Sequence, residues 1–265
     1  MPLSSCVAGL TAILIVCGAH GQNVQREAFD AAPGTALAEL PAPPGWTGTW
    51  MADAELTTPV ANDLLVTAGS LHSPALESIG HTPGGHRFEV EAGRKVQIWR
   101  GLQAPIDWST DSTRYISALI RWSGNHPSGA SRVFLQLGNN QTRIGLGNSG
   151  EARNSLRLQI QNRTSKARVL GETDYTAGET YLLIAKVVTQ ARGQDHIHLA
   201  VFTPDDKLSE QEPQWQLTAS ITRNDAPATR LGIESQLYLP GRTFAIDEIA
   251  LFDTWADFAA ATSEP

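Results

Sequence analysis

The chain has 265 residues, 41% of them hydrophobic and 18% charged, with a formal net charge of −7. That is ample for one packed core, and an acidic balance without a basic stripe argues against a nucleic-acid partner. The only cysteines, Cys6 and Cys17, lie near the N-terminus, so no disulfide framework holds the remainder together.

In chain order, residues 1–21 read as a secretory signal peptide. Residues 7–17 form an uncharged apolar run, and Ala19-His20-Gly21 places small residues at the −3 and −1 positions of a cleavage site before Gln22. The run is too short to span a bilayer as a helix. The expected product is secreted and extracytoplasmic, with no transmembrane segment. An alternative is a lipoprotein signal with Cys17 lipidated, which the bulky Val16 disfavours. Residues 22–27 are a polar lead-in, and the proline-rich stretch 38–45 is expected to be irregular.

From Leu64 onward the pattern changes to short runs of period-two alternation bounded by Gly, Pro, Asn or Asp. The spacing predicts eleven strands: 64–67, 87–91, 96–99, 114–122, 132–137, 142–146, 156–161, 181–188, 196–202, 230–233 and 243–252. Asn139-Asn140, Asn148-Ser149-Gly150, Pro204-Asp205-Asp206 and Pro240-Gly241 supply turn chemistry between them. Asp253 or Thr254 suits the cap of a short helical turn carrying Trp255 and Phe258. The predicted fold class is all-β, a two-sheet antiparallel sandwich closed by a short C-terminal helical turn. Residues 28–258 form one domain and 259–265 a flexible tail.

Both ends of this domain carry a resemblance. Phe29-Asp30, Pro33-Gly34-Thr35-Ala36-Leu37, Gly45-Trp46-Thr47-Gly48-Thr49-Trp50 and Ala68-Gly69-Ser70-Leu71 resemble the opening of a group of secreted bacterial proteins. Residues 244–251 (FAIDEIAL) and Thr254-Trp255-Ala256-Asp257 resemble that group's last strand and tail. The group belongs with the laminin-G-like, concanavalin A-like jelly rolls and often carries a C-terminal sorting signal, which this chain lacks. The resemblance implies a jelly roll whose first and last strands are neighbours. It also implies that Asp247, in the last strand, supplies a carboxylate to a structural calcium, with Asp30 a weaker second candidate. Calcium takes oxygen ligands of this kind. For activity it implies little, since one fold hosts many functions.

Catalytic patterns fail on inspection. Retaining glucanases of this fold use E-x-D-x-x-E, which sets two carboxylates on one strand face. Here Glu172-Thr173-Asp174 is followed by Ala177 where the second Glu belongs, and the segment reads as a loop. The G-x-G-x-x-G of residues 145–150 precedes a strand rather than a helix, so it is a hairpin turn, not a phosphate cradle.

A binding face is the remaining possibility. Gln136, Arg143, Arg157, Gln159, His196 and His198 are polar positions on alternating strands, with Arg132 and Gln161 beside them and Trp99 and Trp122 in a position to join. Arginine forks suit carboxylate or sulfate groups of acidic sugars. His196 and His198, two apart on one strand, project to the same side and suit a transition metal only with a third ligand, which the sequence does not place nearby. The sequence therefore favours a secreted, non-catalytic module for a polysaccharide or cell-surface glycan. A structural or adhesive envelope protein is the alternative. An enzyme of the same fold, hydrolase or lyase, ranks third; a lyase would need Tyr115 or Tyr238 beside the histidines.

Overall fold

Alternation turns one apolar row of each strand inward, and two antiparallel sheets close over those rows. The computed structural model describes residues 25–52, 64–81, 83–91, 95–123, 132–138, 142–147, 155–162, 167–221, 226–236 and 243–261. The signal segment, both cysteines, Asn139-Asn140, residues 148–150, Tyr238, Pro240-Gly241 and the last four tail residues lie outside this set. The strands are β1 (Gln25–Glu27), β2 (Trp46–Ala52), β3 (Val66–Thr67), β4 (Arg87–Glu91), β5 (Lys95–Ile106), β6 (Ser112–Trp122), β7 (Arg132–Leu137), β8 (Thr142–Gly147), β9 (Ser155–Asn162), β10 (Ala167–Thr176), β11 (Thr180–Thr189), β12 (Asp195–Phe202), β13 (Leu217–Ile221), β14 (Ala228–Gln236) and β15 (Thr243–Phe252), with two short helices, α1 (Pro74–Glu77) and α2 (Trp255–Ala261).

One sheet runs β13-β12-β11-β6-β15-β4-β3, with β1 also paired to β15; the other runs β10-β9-β8-β7-β14-β5-β2. The last strand is shared lengthwise on one side. Thr243–Ile246 pairs with β4, and Ile249–Leu251 pairs with β1. Between these halves the β15–β6 register shifts, and Glu248 takes φ 51°, a β-bulge that turns its side chain into the gap.

Between the sheets lies the main core, which includes Trp50, Phe88, Ile98, Ile120, Leu135 and Phe244. A second apolar cluster covers the outward face of the β15 sheet, where α1, α2 and Leu208 pack over Tyr115, Leu119, Ile184 and Phe252. The α2 turn is closed by a reciprocal cap: the Asp257 amide donates to Thr254 Oγ1 at 3.1 Å, and the Thr254 amide donates to Asp257 Oδ2 at 3.1 Å.

One charged pair crosses the core. Arg100 of β5 points inward and is fully buried, and its guanidinium meets Glu27 of β1 in the facing sheet. The remaining donors are taken up locally: Nη2 donates to the carbonyls of Leu40 at 2.6 Å and Pro41 at 2.7 Å, and Nε to that of Gly48 at 3.3 Å. Glu27 also accepts from the Phe29 amide at 3.2 Å and from Trp50 Nε1 at 3.3 Å. Burial lowers the Arg100 pKa to about 10, which leaves it charged at neutral pH.

Each of the eleven predicted strands coincides with an observed strand to within a few residues, except 96–99, which extends to Ile106, and 230–233, which is part of a strand twice that length. Two readings are corrected. The polar lead-in ends as β1, because Gln25–Glu27 completes the edge of β15. The presumed loop at Glu172-Thr173-Asp174 lies within β10, at a register irregularity between Leu170 and Asp174. Trp46 and Trp50 are buried, as core tryptophans should be.

Removing one member of a buried ion pair strands the other charge, at a cost of ~3–5 kcal/mol. Glu27→Ala is expected to lower unfolding free energy by that order in urea titration. Glu27→Leu combined with Arg100→Met is expected to recover most of the loss. Equal instability of the single and double variants would contradict this.

Candidate functional site

Along β7, Val133, Leu135 and Leu137 face the core, so Arg132, Phe134 and Gln136 face away from it. Register carries this outward face across the sheet in rows. Gln136 lies beside Arg143, then Gln161, then Arg168. Phe134 is flanked by Glu234 and Gln97 on one side and by Gly145 and Gln159 on the other. Arg132 lies opposite Gly147, then Arg157, then Asp174. The absence of side chains at Gly145 and at Gly232, which lies opposite Gln136, is a packing requirement: a Cβ at Gly145 would come within 2.2 Å of the Val133 carbonyl oxygen, and one on Gly232 within 2.3 Å of the Trp99 ring.

Glu234 is the centre of this face and is fully buried. Its Oε1 accepts from Arg132 Nε at 2.6 Å, and its Oε2 accepts from Arg143 Nη2 at 3.0 Å and from Gln136 Nε2. Gln97 Nε2 donates in turn to Gln136 Oε1 at 3.0 Å. Gln159 Oε1 accepts from Gln161 Nε2 at 2.9 Å and Arg168 Nε at 3.3 Å, and Arg157 donates to both Asp174 oxygens at 2.6 and 3.4 Å. The result is two levels. Gln97, Gln136, Gln159 and Glu234 form a floor no more than 1% exposed, while the side chains of Arg132, Arg143 and Arg157 keep 25%, 12% and 23% of their surface. A bonded polar floor fixes the arginines above it. Both Glu234 oxygens face cations and an amide rather than a second carboxyl, so the group works as an anchor and lacks the paired geometry of a glycosidase.

Four of the predicted site residues, Gln136, Arg143, Arg157 and Gln159, therefore share one face. Trp122 does not join them. It points into the core and stacks on Tyr181 with ring centroids 5.1 Å apart. Trp99 does lie on the face, under the Arg230 guanidinium at 4.6 Å. His196 and His198 belong to the other sheet, on its outward side, where their Nδ1 atoms bond Ser220 Oγ at 3.2 Å and Thr218 Oγ1 at 2.9 Å. The sequence could not separate the two sheets, because alternation marks the face of a strand but not the sheet it joins. Glu234 and Arg168 escaped selection although their strands' alternation turns them outward as well.

Tyr115 lies near the histidines without the chemistry of a base. Its hydroxyl donates to Glu212, and burial, with that carboxylate, pushes its pKa up. Lys186 donates to both Glu212 oxygens at 2.8 Å.

The calcium expectation can be tested against the donors around Asp247, which sits at the bulge of β15 and is fully buried. Its Oδ2 accepts from Ser70 Oγ and from the Leu71 amide at 2.9 Å, and its Oδ1 from the Glu248 amide at 2.9 Å. These N–H and O–H donors take the positions a metal would need. The adjacent cation is the chain's own: Arg26 of β1 holds Glu248 through Nε and, at 2.6 Å, through Nη2, while the Gly84 amide reaches Glu248 Oε1 at 3.1 Å. Asp30 is exposed. The donors around Asp247 do not fit a calcium there. Among the described residues no cluster of three or more His, Cys, Asp or Glu is placed to hold a metal.

No protein-family model matches the sequence, nor does any curated protein. The laminin-G-like resemblance thus rests on the motifs of the two chain ends. The fold is similar to that of a protein of unknown function from Shewanella oneidensis MR-1, at 11% identity over 88% of this chain and 87% of that one, with a TM-score of 0.44. It is also similar to the carbohydrate recognition domain of Emp47p, at 10% identity over 88% of this chain and 96% of that one, with a TM-score of 0.45. A third similar structure is the botulinum neurotoxin serotype D binding domain, at 9% identity over 80% of this chain and 46% of that one, with a TM-score of 0.44. Likenesses this distant carry no conclusion about activity.

Burial pushes the Asp247 carboxyl up to about 7, against the three donors that favour its charged form. Unfolded, it titrates near 3.9. The stability it contributes is therefore complete below about pH 4 and lost as pH rises through about 7. Asp247→Asn removes that dependence. The stability advantage of the native protein over this variant should shrink between about pH 4.5 and about pH 8 in urea titration; an advantage that widens would contradict the assignment.

Proposed function

We propose that this chain is an exported, non-catalytic recognition module that binds a polysaccharide or cell-surface glycan on the outward face of the β7–β14 sheet. The observation that supports this is the two-level construction around Glu234. Buried polar residues on a solvent-facing sheet surface are costly unless they organise something. Here a floor of amides and one carboxylate holds a layer of guanidinium and amide groups in fixed positions. Such a layer matches the hydroxyls and charged substituents of a sugar chain, which needs many directional donors across an open surface. Export is supported by the signal-like residues 1–21. Among the described residues no helix is long and apolar enough to cross a membrane.

A glycan-array screen of the purified protein tests this reading. Saturable binding to one glycan class is expected, weakened at least tenfold by Arg143→Ala or Gln161→Ala, with His198→Ala on the opposite sheet having no effect. No saturable binding, or a loss confined to His198→Ala, would overturn it.

A further inference from the structure

Resting on that reading, we infer that the sugar chain held on this face is anionic, bearing carboxylate or sulfate groups. The protein as a whole is acidic, at −7. The face inverts that sign. Its rows set Arg132, Arg143, Arg157 and Arg168 against two carboxylates, Glu234 and Asp174. The two carboxylates also differ in where they lie. Glu234 is beneath the surface, wholly buried, whereas the arginines it holds retain part of their surface. Asp174 is exposed, its side chain keeping 41% of its surface, and it is paired with Arg157. Four arginines therefore stand against one exposed carboxylate, and the surface a ligand meets is net positive.

Guanidinium chemistry narrows the class further. Each guanidinium carries donors in a planar fork and no acceptor, so a layer of four offers a ligand donors only. Neutral sugars offer hydroxyls that both donate and accept, and they are met equally well by amides. Carboxylates and sulfates accept only, and they pair with forks in a bidentate manner. The spacing within the rows matters as well. Arg132 and Arg157 lie two strands apart in one row, and Arg143 and Arg168 two strands apart in another, so each row spaces its cations by roughly 10 Å, as charges are spaced along a regularly substituted polymer. A single small anion would use one of them. A polyanion uses all.

The experiment compares dextran with dextran sulfate, which share a backbone, and adds polygalacturonate as a carboxylate polymer. Binding to immobilised protein is measured at low and at physiological salt. Dextran sulfate or polygalacturonate is expected to bind at least tenfold more tightly than dextran, with the preference falling as salt rises. Comparison of the two acidic polymers identifies which substituent is preferred. Arg168→Gln, at an exposed position, and Arg157→Gln are each expected to reduce acidic binding severalfold while leaving the thermal melt unchanged. Equal, salt-insensitive binding of dextran and the acidic polymers would overturn the anionic assignment and leave the glycan reading standing. Acidic binding that neither arginine variant reduces would also overturn it. Failure of all three polymers, together with an empty glycan array, would remove the glycan reading itself.

Discussion

The fold depends on a charged crossing in a largely apolar interior. Arg100 reaches from one sheet to Glu27 in the other, and Glu27 in turn fixes Phe29 and Trp50. Desolvating two charges is expensive, and a well-packed apolar pair would serve stability at least as well. What the pair supplies is position. The guanidinium is also held by the carbonyls of Leu40, Pro41 and Gly48, so a single side chain fixes the irregular proline-rich segment, the start of β2 and the short β1 together. β1 is three residues long, too short to hold its register by backbone bonds alone.

The middle residue of the same short strand, Arg26, meets Glu248. β1 thus has alternate residues committed in two directions, Glu27 inward to the core pair and Arg26 outward to the bulge of the last strand. Together they make the seam where the chain's ends meet. The bulge is what admits this arrangement, because it turns Glu248 toward β1 while Asp247 bonds Ser70 and Leu71. The guanidinium of Arg26 is the cation that stands beside this bulge.

Though it missed β13, the alternation of the sequence was sufficient to find most of the middle strands, since half-buried strands write their burial directly into period two. It was blind to β1, whose Gln25-Arg26-Glu27 reads as solvent-exposed chain and becomes sheet only through a partner more than two hundred residues away. β10 was hidden for a different reason: its bulge breaks alternation at the glycine-flanked Glu172 to Asp174. For the site, Gln136, Arg143, Arg157 and Gln159 were legible because each stands beside core residues in a clear strand. The histidines were grouped with them wrongly, as both sheets present polar outward positions and only pairing tells them apart. Glu234 was the least visible of all, a lone acid among apolar residues whose importance arises from two arginines on other strands.

The pairing of β1 with β15 also sets an order of events. Residues 25–27 are made long before residues 249–251 and cannot take their place until those exist. Until then the edge of the sheet is incomplete, Arg100 has no carboxylate facing it, and the core between the sheets is open at one side. Contacts of such high sequence separation close late and slowly. A chain made from its N-terminus therefore closes the seam at β1 only when its final strand arrives.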